Sequence, residues 1–440
     1  MRVGIIGAGA AGMTAAYELG KNGHEAIVYE RAPFLGGQAS TFDINGGKLE
    51  RGYHHLFTND TDILSLITEI GLAHQMSWIE SKVGTLHDGH IYNFMSPIDL
   101  LKYRPLTMVD RIRLGLVTLM LQRIKDWRSL ESITAVDWLQ KWAGKSAFEG
   151  FWGPMLRGKF GEDYYKEVGM PWIWGKIATR LASRDNGLGR ERLGYPIGSF
   201  GEIFDVLALK IAEHGNQVLL SRPVTKILSS SAGGPGLEFQ SLTGEVQVEH
   251  FDAVMVTAHS YMFLRLASAL PDSYRTQLEG TRYLAAVLLI LVLDRPLSHT
   301  YWLNVADPSI PFVGVIEHTN LIGPEHYGGQ HLVYLSNYLV REDRFYQMGH
   351  QELISTYIPH LQKINPDFDS SWIVNSYHQR VNAAQPVIGT SYSQDMPSHR
   401  TPLDGVYLAN TTQVYPQDRG TNYSVRMGKD VAHMIMQDMA

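Results

Sequence analysis

The 440-residue chain contains no cysteine. Disulfides, thiolate nucleophiles, thiolate metal sites and a covalent cysteinyl link to a cofactor are therefore excluded. Positive charge is also scarce, because 38 Lys and Arg residues stand against 44 Asp and Glu, for a formal charge of −6. That balance offers no basic footprint for nucleic acid, and we expect no nucleic-acid partner.

Long apolar runs are missing as well. The longest, LAAVLLILVL at 284–293, is about half the length of a membrane-spanning helix, so it predicts a buried strand. The apolar pattern begins at Val3 with no signal segment before it, and a cytoplasmic location is the expectation. No metal-ligand spacing such as H-E-x-x-H occurs, and we expect no metal site.

What the chain does have is a glycine-rich beginning. The stretch VGIIGAGAAGMTAAYELGKNGHEAIVYERA at 3–32 predicts a strand, a glycine turn, a helix and a second strand. Gly7 would allow the tight turn, Gly9 would let the backbone approach a pyrophosphate, and Gly12 would let the helix pack close to the strand. This arrangement predicts a dinucleotide site, without choosing between NAD and FAD.

Two further features of the same stretch support a nucleotide. Ala10 and Ala11 lie at the start of the predicted helix, where free N–H groups and the helix dipole favour phosphate. Glu30 ends the second strand, where its carboxylate would accept both ribose hydroxyls. An acid at that position repels a 2′-phosphate, so NADP is disfavoured.

The next residues identify the cofactor by resemblance. ERAPFLGGQASTFD at 30–43 resembles the Glu-x5-Gly-Gly extension of FAD-dependent amine oxidases, protoporphyrinogen oxidases, phytoene desaturases and UDP-galactopyranose mutases. The resemblance implies bound FAD, with the glycine pair passing close to the ribityl chain and pyrophosphate. Amine oxidases usually continue with Arg, where this chain has Gln. The residues that the resemblance assigns to FAD here are Arg31, Gly36, Gly37, Gln38 and Ala39.

Two later segments resemble the same superfamily. GYPIGSFGEIFDVLALKIAEHGNQVLLSRPVTKI at 194–227 is similar to the segment that re-enters the FAD domain, which implies a backbone contact between Val224 and adenine. GVYLANTTQVYPQDRGTNYSVRMGKDVAHMI at 405–435 is similar to the C-terminal flavin motif, where a helix N-terminus faces the pyrimidine end of the flavin. The contacts that this motif implies are Asn410, Gly420, Asn422 and Tyr423.

The resemblance implies an α/β fold with a discontinuous, Rossmann-like FAD-binding domain and a second, mixed α+β substrate-binding domain that includes a helical insertion. We expect residues 1–75, 196–260 and 400–440 in the first domain, and 76–195 and 261–399 in the second. Residues 76–195 are predicted to be mostly helical. Further helices are predicted near 201–214, 349–363 and 422–438.

Two segments offer candidate catalytic side chains. In FWGPMLRGKFGEDYYKEVGMPWIWGKIATR at 151–180, Arg157 and Lys159 would meet an anionic substrate or hold a water over the flavin. The alternative is a helical core with solvated charges on its other face. In ERGYHHLFTND at 50–60, the flavin-facing loop of the resemblance, His54 and His55 are candidates for contact with the ring or the substrate. The alternative is a pair of structural histidines.

RIRLGLVTLMLQRIK at 111–125 has an apolar centre between pairs of basic residues. Such a helix suits the interface of a membrane and would give peripheral contact. The alternative, which we favour from the sequence, is a core helix with snorkelling arginine ends.

The resemblance implies an FAD-dependent oxidoreductase that removes a hydride from a small organic substrate to flavin N5. The candidate substrates carry an amine, porphyrinogen-like or isoprenoid-like C–H. No second glycine fingerprint follows, so the electrons are expected to come from the substrate. The alternatives are an isomerase of the UDP-galactopyranose mutase type acting on a nucleotide sugar, and a protein that binds FAD without turnover.

Overall fold

The computed structural model describes residues 1–183, 191–229 and 233–439. The strands, in chain order, are β1 Arg2–Ile6, β2 Glu25–Tyr29, β3 Thr41–Ile44, β4 Gly47–Glu50, β5 Leu56–Phe57, β6 Met76–Glu80, β7 Val83–His87, β8 His90–Asn93, β9 Arg192–Pro196, β10 Gln217–Leu219, β11 Val224–Leu228, β12 Gly236–Gln240, β13 Val246–His250, β14 Ala253–Val256, β15 Tyr283–Leu293, β16 Trp302–Val305, β17 Gly314–Glu317, β18 His331–Leu339, β19 Ile373–Pro386 and β20 Val406–Leu408. The helices are α1 Ala10–Lys21, α2 Thr61–Glu69, α3 Pro97–Lys102, α4 Met108–Arg123, α5 Ala135–Ala143, α6 Lys145–Ala147, α7 Gly153–Tyr164, α8 Met170–Ala182, α9 Phe200–Glu213, α10 Ser260–Leu266, α11 Asp272–Gly280, α12 Arg344–Gln347, α13 His350–Tyr357, α14 Tyr392–Asp395 and α15 Thr421–Asp438.

A parallel sheet brings the two ends of the chain together. Its strand order is β10-β2-β1-β14-β20, and all of its pairings are parallel. The strands other than the edge strand β10 are almost wholly buried, as expected for a parallel sheet covered by helices on its faces. This arrangement confirms the predicted α/β fold with a Rossmann-like sheet.

Helix α15 packs directly on α1, so the last helix of the chain lies beside the first. The closest approach is at Gly428, where a Cβ atom would lie 2.3 Å from the carbonyl oxygen of Ala11. Glycine at this position therefore allows the two helix backbones to touch.

A second, seven-stranded sheet has the order β19-β15-β18-β17-β16-β7-β8 and is antiparallel except between β16 and β7. Its interior strand β15 is buried from Leu284 to Leu293, which confirms the buried strand predicted at 284–293. Alternate β15 side chains pack into two different hydrophobic cores, one on each face of the sheet.

The prediction of mostly helix for 76–195 agrees with the helices between 97 and 182 but is wrong at both ends of the range. Residues 76–93 form β6, β7 and β8, and the range closes with β9. The turn between β7 and β8 is Asp88-Gly89, with φ values of 49° and 72°. Asp-Gly favours such a two-residue hairpin turn. The prediction is wrong here because it uses the composition of the whole range and not this dipeptide.

Two of the other predicted helices are confirmed as α9 and α15, and the third is shorter than expected. Near 349–363 the α-helix α13 ends at Tyr357, and Ile358–Lys363 continues as 3-10 turns. Pro359 lacks the N–H needed to continue the α-helical hydrogen bonds, which explains the change. The parallel sheet draws its strands from 2–29, 217–219, 253–256 and 406–408. The domain boundaries remain predictions.

Candidate functional site

The turn between β1 and α1 needs two of its three glycines for the fold itself. Gly7 has a φ of 107°, and a Cβ there would lie 2.4 Å from Thr257 Oγ1. At Gly12 a Cβ would lie 2.0 Å from the Gly7 carbonyl oxygen. Only glycine meets both requirements, because a side chain at either position would overlap protein atoms.

Gly9 is different, because the protein does not require glycine there. Its φ is −81°, which any residue adopts, and the nearest atom to a Cβ would be 3.9 Å away. The space that a side chain would fill is therefore left open beside the turn. An open backbone at this position fits a ligand that approaches the chain closely.

The second glycine motif lies against the first. Gly36 forms a parallel bridge with Gly9, and its N–H donates to the Ala8 carbonyl over 2.9 Å. Gly36 and Gly37 have φ values of 94° and 57°, which place both in the left-handed region. The chain then closes the turn with a hydrogen bond from the N–H of buried Ala39 to the Gly36 carbonyl. The turn at residues 7–12 and the turn at residues 36–39 thus lie against each other, and we call the two together the glycine cradle.

The beginning of α1 faces this cradle with free donors. The first intrahelical bond runs from the Met13 N–H to the Gly9 carbonyl over 3.0 Å. The N–H groups of Ala10, Ala11 and Gly12 precede it, and such first-turn donors are available to a phosphate. The open position at Gly9 and these donors fit the pyrophosphate of FAD.

Glu30 lies across the turn from α1. Its carboxylate accepts the N–H of Ala8 over 2.9 Å and the N–H of Ala32 over 2.8 Å. Each carboxylate oxygen retains acceptor capacity for a ribose hydroxyl.

The segment before Val224 lies beside the same strand end. The Arg222 N–H donates to the Glu30 carbonyl, which brings the start of β11 next to the acid. Arg31, the residue after Glu30, is exposed.

At the other end of the cradle, α15 begins after Gly420, whose backbone is extended. The Asn422 side-chain oxygen accepts the N–H groups of Asp62 and Ile63 at the start of α2. The Tyr423 hydroxyl lies 3.4 Å from Thr179 Oγ1 on α8.

Asn410 follows β20, and its side chain also bonds within the protein. Its oxygen accepts from Thr412, and its amide donates to the Ala258 carbonyl. The side-chain oxygens of Asn410 and Asn422 are thus both engaged within the protein, and a contact of either residue with the flavin remains a prediction.

A largely, but not fully, buried carboxylate lies just before α15. Asp418 Oδ2 is 3.2 Å from Lys176 Nζ and 3.7 Å from Lys159 Nζ, and Oδ1 accepts the Trp172 indole N–H over 3.2 Å. Burial raises the pKa of Asp418, but the charges of Lys159, Lys176 and Arg419 outweigh burial and hold that pKa well below its ordinary value. The site therefore contains an ionised carboxylate between cations.

Arg157, in contrast, does not join this cluster. Its guanidinium pairs with Glu149 at 2.5 Å and Glu162 at 3.4 Å. Residues two apart on a helix point to nearly opposite sides, so Lys159 and Arg157 leave α7 in different directions. The structure thus separates the two predicted catalytic cations.

Arg419 connects the cofactor segments to the large sheet. Its guanidinium donates to Tyr338 Oη over 3.1 Å, to Gln385 over 3.1 Å and to Gln38 Oε1 over 3.4 Å. Gln38 also donates to the Ala383 carbonyl. Arg419 therefore places a positive charge next to the position where amine oxidases usually carry Arg.

The two candidate histidines are neutral near pH 7. His54 Nδ1 lies 2.6 Å from the Gly52 carbonyl, and His55 Nδ1 lies 3.0 Å from the Tyr301 hydroxyl. Burial lowers the pKa of His54 to about 4 and that of His55 to about 3. Both imidazoles have structural partners, and their contact with ring or substrate remains a prediction.

Sequence reasoning missed most of the charged cluster. Asp418 and Arg419 immediately precede Gly420, so the C-terminal motif could have pointed to them. Lys176 lies in the segment searched for cations, but no local pattern distinguishes it from its neighbours. Tyr338 lies in a buried strand with no pattern of its own.

Comparison with known proteins agrees with this geometry. Residues 10–417 match the model of the family described as flavin containing amine oxidoreductase. The ζ-carotene desaturase of Arabidopsis thaliana is 29% identical over 182 residues, which cover 35% of this chain and 32% of that protein. The chain thus spans about a third of the length of the curated desaturases it matches.

Two solved structures share the fold. A reduced UDP-galactopyranose mutase has a TM-score of 0.76 at 17% identity, covering 99% of this chain and 95% of that one. A putrescine oxidase bound to putrescine has a TM-score of 0.72 at 16% identity, covering 99% of both chains. Because the family model spans residues 10–417, the chain belongs to the flavin-containing amine oxidoreductase family.

Proposed function

We propose that the protein dehydrogenates an apolar organic substrate, removing a hydride and a proton from neighbouring atoms. Bound FAD supplies the two-electron acceptor for the hydride. The observation that carries the proposal is the open position at Gly9, in the glycine cradle, which Arg419 joins to the charged cluster at Asp418 through its hydrogen bond to Gln38.

The chain's own groups would hold the cofactor in an extended form. The first-turn N–H groups of α1 are the donors for the pyrophosphate, and Glu30 is the acceptor for the ribose. The α15 N-terminus and Arg419 would bring positive charge to the pyrimidine end of the flavin, where negative charge develops on reduction.

An isoprenoid-like C–H is the substrate class we favour over an amine or a porphyrinogen. The curated relatives in the sequence comparison are named as carotene and phytoene desaturases. An exposed apolar surface on α4, which includes Val109, Ile112 and Leu116, fits a protein that takes its substrate from lipid. The amine and porphyrinogen classes are kept as arms of the test.

The test is anaerobic mixing of the FAD-loaded protein with putrescine, protoporphyrinogen, ζ-carotene in detergent and UDP-galactopyranose, while the flavin absorbance is followed. We expect ζ-carotene to bleach the flavin, because a dehydrogenase takes electrons from its substrate. Bleaching by another compound of the panel instead would support the dehydrogenase but refute the isoprenoid-like substrate class.

The mutase alternative predicts a different result. UDP-galactopyranose would then be converted only after the flavin had been reduced with dithionite, and the flavin would stay reduced during turnover. That result, without bleaching by the other three compounds, would refute the dehydrogenase.

We also propose that α3 and α4 contact a membrane surface peripherally. The buried face of α4 carries Leu114, Val117 and Leu121, but the opposite face is apolar too. Exposed there, between 46% and 74%, are the side chains of Ile98, Leu101, Met108, Val109, Ile112, Leu116 and Leu119. The five on α4 fall within an arc of about 100°. The core helix favoured from the sequence therefore describes one face of α4 but not its exposed apolar face.

The charges around this apolar face favour binding to a membrane that contains anionic lipid. Residues 97–128 contain seven basic and three acidic side chains, and a basic rim around an apolar helix face is typical of interfacial helices. Among the described residues, no helix combines the length and apolarity needed to cross a bilayer. Helix α4 packs against α8, which carries Lys176, so the proposed contact adjoins the cluster.

A triple variant tests the membrane contact. Val109→Glu, Ile112→Glu and Leu116→Glu together should lower binding to phosphatidylcholine–phosphatidylglycerol vesicles by about tenfold or more, because three exposed apolar side chains become anionic. Vesicle flotation measures the bound fraction. The matched control replaces Leu209, Leu242 and Val246, which are exposed by 65%, 72% and 61%, with Glu. Equal loss in both variants, or none in either, would contradict the proposal.

A further inference from the structure

Tyr338 occupies the boundary between the large sheet and the cofactor segments. It lies near the end of β18, is only 8% exposed, and accepts a hydrogen bond from Arg419, the residue before Gly420. Through Arg419 it is also connected to Gln38 in the second glycine motif. The phenol therefore faces the segments assigned to the flavin.

The Tyr338 side chain is contacted by three groups from three different parts of the chain, two at its hydroxyl and one over its ring. Tyr53 Oη lies 3.1 Å from Tyr338 Oη, Arg419 Nη2 lies 3.1 Å from it, and Lys159 Nζ lies 4.4 Å from the centre of the Tyr338 ring. The Tyr53 ring is fixed in turn by edge contacts with Trp302 and Tyr334. One buried phenol thus lies between two cations, with a hydroxyl beside it.

These surroundings favour the phenolate. Burial raises the pKa of Tyr338, but Lys159, Arg419 and the hydrogen bond from Tyr53 outweigh burial and lower it to about 8, against the opposing charge of Asp418. Burial and the neighbouring phenol keep the pKa of Tyr53 well above its ordinary value, so Tyr53 stays the donor of the pair.

We propose that Tyr338 is the proton acceptor of the dehydrogenation and that Tyr53 and Lys159 are its positioning residues. This inference rests on the proposed function. One C–H bond of the substrate breaks with its electron pair leaving as hydride to FAD. The neighbouring C–H or N–H bond loses its proton to the Tyr338 phenolate, and its electrons form the new double bond. The neutral phenol then releases the proton, which restores the phenolate.

The first experiment needs no substrate. The FAD-loaded protein, labelled with tyrosine carrying ¹³C at Cζ, is titrated by NMR between about pH 6 and pH 10, a range that brackets the pKa expected for Tyr338. We expect one tyrosine signal to move to the phenolate position near pH 8 and to be missing in Tyr338→Phe. Lys159→Gln should move that titration to higher pH, because it removes a cation. Tyr377→Phe, which removes a half-buried tyrosine of β19, is the control and should leave the signal unchanged.

The second experiment follows the pH dependence of flavin bleaching by the compound of the panel that reduces the wild type fastest. Tyr338→Phe should lower that rate by about 100-fold or more, as expected for loss of a general base, and should abolish the rise near pH 8, with FAD content unchanged. A titrating signal that survives Tyr338→Phe, or a variant that keeps the pH-dependent rise, would overturn the proposal. If no compound bleaches the flavin, the dehydrogenase proposal fails, while the NMR titration still decides whether Tyr338 ionises. If no Tyr338 signal titrates, the assignment of Tyr338 as proton acceptor is refuted whatever the result of the bleaching experiment.

Discussion

Gly9→Val is expected to yield a folded protein that purifies with little or no FAD. The backbone of Gly9 has an ordinary φ of −81°, and a Cβ would meet no protein atom closer than 3.9 Å. The Cβ of the new side chain therefore enters the open space of the cradle without meeting a protein atom, and we expect the fold to be kept. Losing even two charge-assisted hydrogen bonds to the pyrophosphate costs about 3 kcal/mol, so affinity for FAD should fall by about 100-fold or more.

Gly349→Val is the matched control. Gly349 also precedes a helix, α13, with φ −68° and no atom within 4 Å of a Cβ, so both variants lose a similar N-terminal cap. The ratio of flavin to protein absorbance after purification, and titration of the apoprotein with FAD, measure the effect. Full FAD content in Gly9→Val would show that the cofactor does not approach the backbone there.

Asp418→Asn should lower the free energy of unfolding by about 2–4 kcal/mol. Removing one partner of a buried ion pair leaves charges without compensation, and here the carboxylate balances both Lys159 and Lys176. The Asp418 side chain is 19% exposed, so water offsets part of the loss. Urea unfolding of both proteins with the same saturating FAD concentration measures the difference.

The control for this variant is Asp205→Asn. Asp205 pairs with Lys48 over 2.8 Å on the surface, where the two side chains are 50% and 41% exposed, so its loss should cost less than about 1 kcal/mol. Because the pKa of Asp418 is lowered by folding, its stabilisation is complete above about pH 4 and decreases as pH falls toward the folded-state pKa. The difference between wild type and Asp418→Asn should therefore narrow in acid. A difference that is constant with pH would contradict the ion-pair explanation.

The parts that could be predicted from the sequence are those built from neighbouring residues. Gly7, Gly9 and Gly12 lie within one turn, and their spacing alone predicts the strand–turn–helix that the structure shows. The buried strand β15 is equally local, since its ten apolar residues form one run.

The parts that could not be predicted depend on distant contacts. Arg419 and Tyr338 are 81 residues apart, and Tyr53 and Tyr338 are 285 apart. Neither pair carries a sequence pattern, because tertiary packing brings them together. The exposed apolar face of α4 could not be predicted for a related reason. Apolar residues on both faces are typical of a core helix, and only the structure shows that one of these faces is exposed.

The contact at Gly428 has a consequence for the whole cofactor site. Helices α1 and α15 touch there backbone to backbone. The α1 amino terminus, proposed to hold the pyrophosphate, and the α15 amino terminus, proposed to face the flavin, are consequently fixed relative to each other. We expect any side chain at 428 to separate the two helices and to weaken both proposed contacts together.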